Sequence, residues 1–165
     1  MDRLLVAVLG HRNSGKSKTW NTLFGHRVLT GKEQRPLEVA KGTFVNVFLV
    51  SGSPEERDLY VGNLISDKNA RIVLCSVQYK DGLKEGMRGT FDHFISKGFV
   101  LYVQWLNPGY KDPNWYPDYL GLLPFIQHQH SLVSIRDGKL DPGSRVEEIR
   151  EFIHGWAAAR KLIIK

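Results

Sequence analysis

The chain has one cysteine, no long apolar run, no internal repeat and no low-complexity tract. A single thiol, Cys75, excludes an internal disulfide and any multi-cysteine zinc site. Set inside RIVLCSV, it reads as a small buried core residue with no chemical role. No stretch approaches the roughly 18 to 20 apolar residues of a membrane span, so none is expected. The opening MDRLLVAVLG has too short an apolar core for a signal peptide and leads into a glycine loop, not a small-residue cleavage site. A cytoplasmic protein is the expectation. Acids are also scarce in the first 41 residues: Asp2, Glu33 and Glu38 stand against Arg3, Arg12, Lys16, Lys18, Arg27, Lys32, Arg35 and Lys41. Most of the formal charge of +6 therefore lies near the N-terminus, where it favours polyanions. Nucleic acid belongs to that class, but no nucleic-acid-binding motif supports it.

What is present is an alternation of strand-like and helix-like segments over 165 residues, a length suited to one domain, 1–165. LLVAVL (4–9) reads as a buried strand, and KSKTWNTLFG (16–25) as a helix stopped by Gly25. A polar loop (26–35) follows, then PLEVA as a strand beside the stronger TFVNVFLVSG (43–52). Ser53-Pro54-Glu55-Glu56 has the order of an N-cap, a first-position proline and an acidic first turn, predicting a helix to about Ser66. Strands are expected at 71–79, 99–106 and 130–135, with a helix ending near Gly98, a partly helical DYLGLLPFIQ, and a final amphipathic helix RVEEIREFIHGWAAAR. Such alternation predicts an α/β fold with three layers: a mostly parallel sheet with helices on both faces.

One stretch carries chemistry. Gly10-His11-Arg12-Asn13-Ser14-Gly15-Lys16-Ser17 has the spacing GxxxxGK[ST], preceded by a strand and followed by a helix. Glycines let successive N–H groups converge on phosphate oxygens, and the helix start adds its own free N–H groups. Lys16 supplies an ammonium to the β- and γ-phosphates, and the Ser17 hydroxyl is a hard-oxygen ligand for Mg²⁺. Residues Gly10 to Lys18 are the expected nucleotide-binding set.

GHRNSGKS resembles the phosphate loop of the P-loop NTPase superfamily, and GKSKTWNTLFG is similar to the start of a GTPase domain of the Ras-like and translation-factor class. The resemblance implies the P-loop NTPase fold, a nucleoside triphosphate (ATP or GTP) and Mg²⁺. It also implies an aspartate at the end of a second apolar strand, where this chain has Ser51-Gly52-Ser53-Pro54-Glu55-Glu56, and an Asn-Lys-x-Asp reading guanine, where it has Asn107-Pro108-Gly109-Tyr110. The base is therefore open between adenine and guanine. Ser51 is a candidate for orienting a metal-bound water, Glu55 and Glu56 for activating a nucleophilic water, Thr43 for a second metal contact, and Arg12 and Arg35 for phosphate contacts.

Outside the motif, WLNPGYKDPNWYPDY gathers Trp105, Tyr110, Trp115, Tyr116 and Tyr119, a loop suited to a base or to a protein partner. His128 and His130 have no third ligand nearby in sequence and read as a solvated or packed pair. Three functions stay open: a nucleotide-dependent switch that hydrolyses slowly; a small kinase using Asp58, Asp81 or Asp92 with Arg88; and a degenerate scaffold acting through the aromatic loop.

Overall fold

In chain order the elements are β1 Arg3–Gly10, α1 Lys16–Phe24, β2 Arg35–Ala40, β3 Thr43–Val50, α2 Pro54–Arg57, a 3-10 turn Val61–Asn63, β4 Ile72–Gln78, α3 Gly86–Ser96, β5 Phe99–Leu106, α4 Leu122–Gln127, β6 Ser131–Arg136 and α5 Gly143–Ala159. This computed structural model describes residues 2–57, 60–81, 86–127 and 130–165, the side chains of 56 and 57 excepted.

One six-stranded sheet organises them, in the order β2-β3-β4-β1-β5-β6. β2 runs antiparallel to β3, and every other neighbouring pair is parallel. β1 lies between β4 and β5 and is buried from Leu4 to Leu9, which is why it reads as an unbroken apolar run. Its alternate side chains enter two separate cores. Leu5, Ala7 and Leu9 pack in one cluster with Met87, Phe91 and Phe94 of α3 and Leu122 and Ile126 of α4. Leu4, Val6 and Val8 pack in the other with Trp20 and Leu23 of α1 and Val146, Ile149 and Ile153 of α5. The fold is α/β with a mostly parallel sheet carrying helices on both faces, an arrangement compatible with three layers.

The expected helix from Ser53 to Ser66 is much shorter. It is one turn, α2, followed after a gap in description by the 3-10 turn at Val61–Asn63. Gly62 and Asn63 are poor helix formers, and Ser66 Oγ donates to the Lys32 carbonyl instead of continuing a helix. The Ser53 hydroxyl, expected to cap, has no hydrogen-bond partner among the described residues. The polar loop expected at 26–35 is a loop up to Gln34, exposed at His26, Arg27, Leu29, Lys32 and Glu33, with Arg35 opening β2; it is tied down where Gly31 N donates to Leu49 O and Gln34 Nε2 to Asp67 Oδ2.

Because β1, β3, β4, β5 and β6 share a direction, Gly10, Val50, Gln78, Leu106 and Arg136 end at one edge of the sheet. Ligands of open parallel sheets bind at that edge.

Helix α1 is anchored to the sheet by Trp20, fully buried, whose Nε1–H donates to Ser76 Oγ at 2.8 Å. Trp20→Phe should lower stability by about 1 to 3 kcal/mol in urea unfolding, and Ser76→Ala added to it should cost little more. Strictly additive losses would show that the hydrogen bond contributes nothing.

Candidate functional site

The loop between β1 and α1 closes on itself. Ser14 N donates to His11 O, and Thr19 donates through both its N–H and its hydroxyl to Gly15 O, so the loop runs directly into the first turn of α1. Gly15 has φ of 100°, a left-handed conformation that a side chain resists. Lys16 is 5% exposed, and its Nζ donates to the carbonyls of His11 at 3.0 Å and Gly10 at 3.4 Å. The ammonium is folded back over the loop and donates to its oxygens, the Ser14 hydroxyl at 3.5 Å among them.

Two further loops grip this one from outside. Tyr110 N donates to Ser14 O at 3.0 Å, and Gly138 N donates to Pro108 O at 2.8 Å. A Cβ on Gly109 would lie 2.8 Å from Ser14 Cα, and one on Gly138 would lie 2.8 Å from Ser14 O, so both approaches need glycine. The β5–α4 and β6–α5 loops thereby set the position of the β1–α1 loop.

In front of the loop is a cavity of about 280 Å³, lined by Asn13 to Lys18, Ser51, Ser53, Tyr110 and Lys111. Three ammonium groups and four serines face it, and among the described residues no carboxylate does. Lys18 Nζ sits 4.2 Å from the centre of the Tyr110 ring. Ser53 is 1% exposed with its hydroxyl unpartnered among the described residues, an uncommon state for a buried polar group and one that a bound water or ligand oxygen relieves.

Two buried ionisable groups stand behind this wall. Arg145 of α5 is 4% exposed and donates to Thr19 Oγ1 and, at 3.4 Å, to Gln104 Oε1. Burial pulls its pKa down to about 10, against a smaller opposing effect of Asp141. Its guanidinium reaches to within 3.8 Å of where a Gly15 Cβ would stand, so a buried cation lies directly under the loop. Glu55 is 3% exposed; its carboxylate accepts from Thr90 Oγ1 at 2.7 Å and from Gln78 N at 3.2 Å. Burial pushes its pKa up to about 7, and the hydrogen bonds and the Lys16 charge only partly offset this.

The fold brings Asn13 to Lys18 together with Ser51 at the cavity, leaves Gly10, His11 and Arg12 outside its lining, and places Glu55 one layer behind. Glu56's side chain, Asp58 and His128 lie outside the described residues, and His130 is exposed. No cluster of three His, Cys, Asp or Glu side chains suited to a metal occurs among the described residues. Thr43 is a correction. It opens β3 beside the Lys41-Gly42 turn, seven residues before Val50, roughly 23 Å from the cavity end of the strand, and is too distant to hold a metal there. The loop threonine near the cavity is Thr30, whose Oγ1 accepts from Ser51 N at 3.0 Å. Its signal was its place in the basic loop after α1. Arg35 is engaged with Leu29 O, while Arg12 is exposed beside Asn13, Gln78 and Lys80. Arg88 donates to Leu120 O, Asp92 is exposed on α3, and Asp81 packs against Gly86; none lines the cavity.

The aromatic loop divides its rings. Trp105 is core, stacked on Tyr79 at 4.8 Å, and Tyr116 stacks on His11 at 3.9 Å. Asn107 fixes Tyr116 by exchanging two hydrogen bonds with its backbone. Trp115 and Tyr119 remain exposed. Arg145 is not legible as a site residue because a charged side chain on an amphipathic helix belongs by composition to its polar face; its spacing of four from Ile149 and eight from Ile153 puts it on the buried stripe.

No family model, no curated protein and no solved structure matches this chain.

Glu55 makes stability depend on pH. The folded protein binds this proton more tightly than the unfolded chain, whose carboxyl has the ordinary value of 4.5. Its contribution is therefore most favourable below about pH 4.5 and declines as pH rises through about 7, by an order of 3 kcal/mol. Glu55→Gln should flatten that decline and be the more stable form at pH 8 in urea titrations. Parallel pH profiles for the two proteins would remove Glu55 as the source.

Proposed function

We propose that the chain binds a purine nucleoside triphosphate with Mg²⁺ in the cavity before Gly10–Lys18 and acts as a nucleotide-dependent switch with slow hydrolysis. The observation that carries this reading is the pair of buried cations, Lys16 and Arg145, converging on the β1–α1 loop from its two sides. A polyphosphate would take over hydrogen bonds that Lys16 makes to loop carbonyls, and the field of Arg145 would favour the anion from beneath. Backbone N–H groups of the loop and the start of α1 add to both.

The oxygen donors fit a hard cation: Ser17 Oγ would hold Mg²⁺ together with the phosphates, and the Ser51 and Ser53 hydroxyls would hold its waters. The bound metal would neutralise charge on the β- and γ-phosphates. Thr30, one hydrogen bond from Ser51, is the residue through which the basic loop would sense the γ-phosphate. Glu55, titrating near 7, suits a proton acceptor for an attacking water, but its carboxylate points to Gln78 N and Thr90, so the 51–57 turn must move first. With serines where a carboxylate would hold the metal's water, turnover is expected to be slow. Exposed Tyr110 and Lys111 are the groups offered to the base, and neither reads a guanine edge specifically.

Calorimetric titration of Mg-ATP, Mg-GTP and the matching diphosphates tests the reading. One triphosphate should bind, and Lys16→Ala should weaken it by about 10- to 100-fold. Absence of heat with either triphosphate would sink it.

Thr30→Ala should narrow the difference between triphosphate and diphosphate affinity, and Thr43→Ala should leave it unchanged. The reverse pattern would return the sensing role to Thr43.

A further inference from the structure

At the other end of β1, roughly 23 Å from Gly10, a second cavity of about 450 Å³ opens beside Arg3, Tyr60, Lys68, His93, Lys97 and Phe99. It is larger than the nucleotide cavity and has a different charge plan. Four of its lining residues are basic or imidazole, and no lining residue is acidic. It lies at the N-terminal ends of β1 and β5, where Arg3 pairs with Phe99, so it shares no residue with the phosphate loop.

Three of the four basic groups are held in place. Arg3 donates through Nε and Nη2 to the carbonyls of Ala70 and Lys68, and its guanidinium lies 4.2 Å from the centre of the Phe99 ring. Lys68 Nζ donates to Gly62 O at 2.6 Å, and His93 Nδ1 shares a hydrogen bond with Tyr60 OH at 2.7 Å. That bond engages Nδ1, and Nε2 has no hydrogen-bond partner among the described residues. Lys97 is exposed, and its ammonium has no hydrogen-bond partner among the described residues. Asp67 attracts Arg3 from nearby, but it is itself bonded to Gln34 and Asn69 N and does not line the cavity.

Such an arrangement is self-repelling. Burial is the main cause that lowers the His93 pKa, and Lys68, Lys97 and Arg3 all push it further in the same direction. Three cations therefore act on one imidazole across one cavity. An anion with several acceptor oxygens would relieve the repulsion and bond to more than one of them. The volume exceeds what a single phosphate group fills, and Tyr60 and Ile65 give an organic body something to rest on.

We propose that this cavity is a second anion site that binds the phosphate monoester of a small organic molecule, independently of the nucleotide cavity. Lys97 and His93 Nε2 contact the phosphate, with Arg3 and Lys68 supplying field from the walls.

The test is calorimetry on the full chain with ribose 5-phosphate, inorganic phosphate and ribose as probes. Ribose 5-phosphate should bind more tightly than inorganic phosphate, and ribose should give no heat. Lys97→Glu and His93→Gln should each weaken ribose 5-phosphate by about tenfold or more, while Lys16→Ala should leave it unchanged. Lys97 is exposed, so its replacement does not threaten folding, and the His93 ring resonances should shift on addition of the probe. Three results overturn the proposal: no binding of ribose 5-phosphate, binding lost in Lys16→Ala but kept in Lys97→Glu, or equal affinity for inorganic phosphate. Because Lys16→Ala and Lys97→Glu address opposite ends of β1, failure at one cavity is distinguishable from failure at the other.

Discussion

The site depends on how closely two loops approach the backbone of Ser14 in a third. Gly109 and Gly138 each bring the main chain to a distance at which one added carbon would collide with Ser14, and Tyr110 N closes the contact with a hydrogen bond to its carbonyl. These three segments follow β1, β5 and β6, so their meeting requires those strands to be adjacent, parallel and in register. The two cores supply that registry by burying both faces of β1. A change in either core therefore reaches the cavity through the position of Ser14, with no need to alter a lining side chain.

Charge is arranged around the same point in layers. Lys16 lies within the loop, Arg145 beneath it and Glu55 behind it, all buried. Burying a cation such as Arg145 with a hydroxyl and an amide as its hydrogen-bond partners among the described residues opposes folding, and burying Glu55 favours its neutral form at the pH where other carboxyls are ionised. Neither is explained by stability. Both are the kind of cost found where a protein is shaped for a ligand, and both adjoin the one motif with a specific spacing.

Much of the fold was legible because β1, β4 and β5 are continuous apolar runs and α5 has a clear apolar stripe. Strand order was not legible: nothing local in IVLCSVQ says that β4 lies between β1 and β3, since that is decided by which crossovers pack. Ser53-Pro54-Glu55-Glu56 marked the helix start at Pro54 correctly but not its length or its cap, because Ser53 faces the cavity and Glu55 is turned inward. For the site, the spacing of Gly10 to Ser17 identified the loop itself. It could not identify Thr30 over Thr43, or Arg145, because both depend on contacts between residues more than 20 apart in sequence. The basic cavity at Arg3 left no trace in sequence, its residues being scattered from 3 to 99.

The central place of β1 bears on the order in which the chain acquires structure during synthesis. LLVAVL leaves the ribosome before both of its neighbours, residues 72–78 and 99–106. The β2–β3 hairpin closes locally, whereas β1 waits, unpaired on both edges, for distant sequence to arrive. Non-local pairing of this kind slows folding and leaves an adhesive strand exposed meanwhile. The same topology that seats the β1–α1 loop at the middle of the sheet thus leaves β1 open to non-native pairing until both of its distant neighbours have been made.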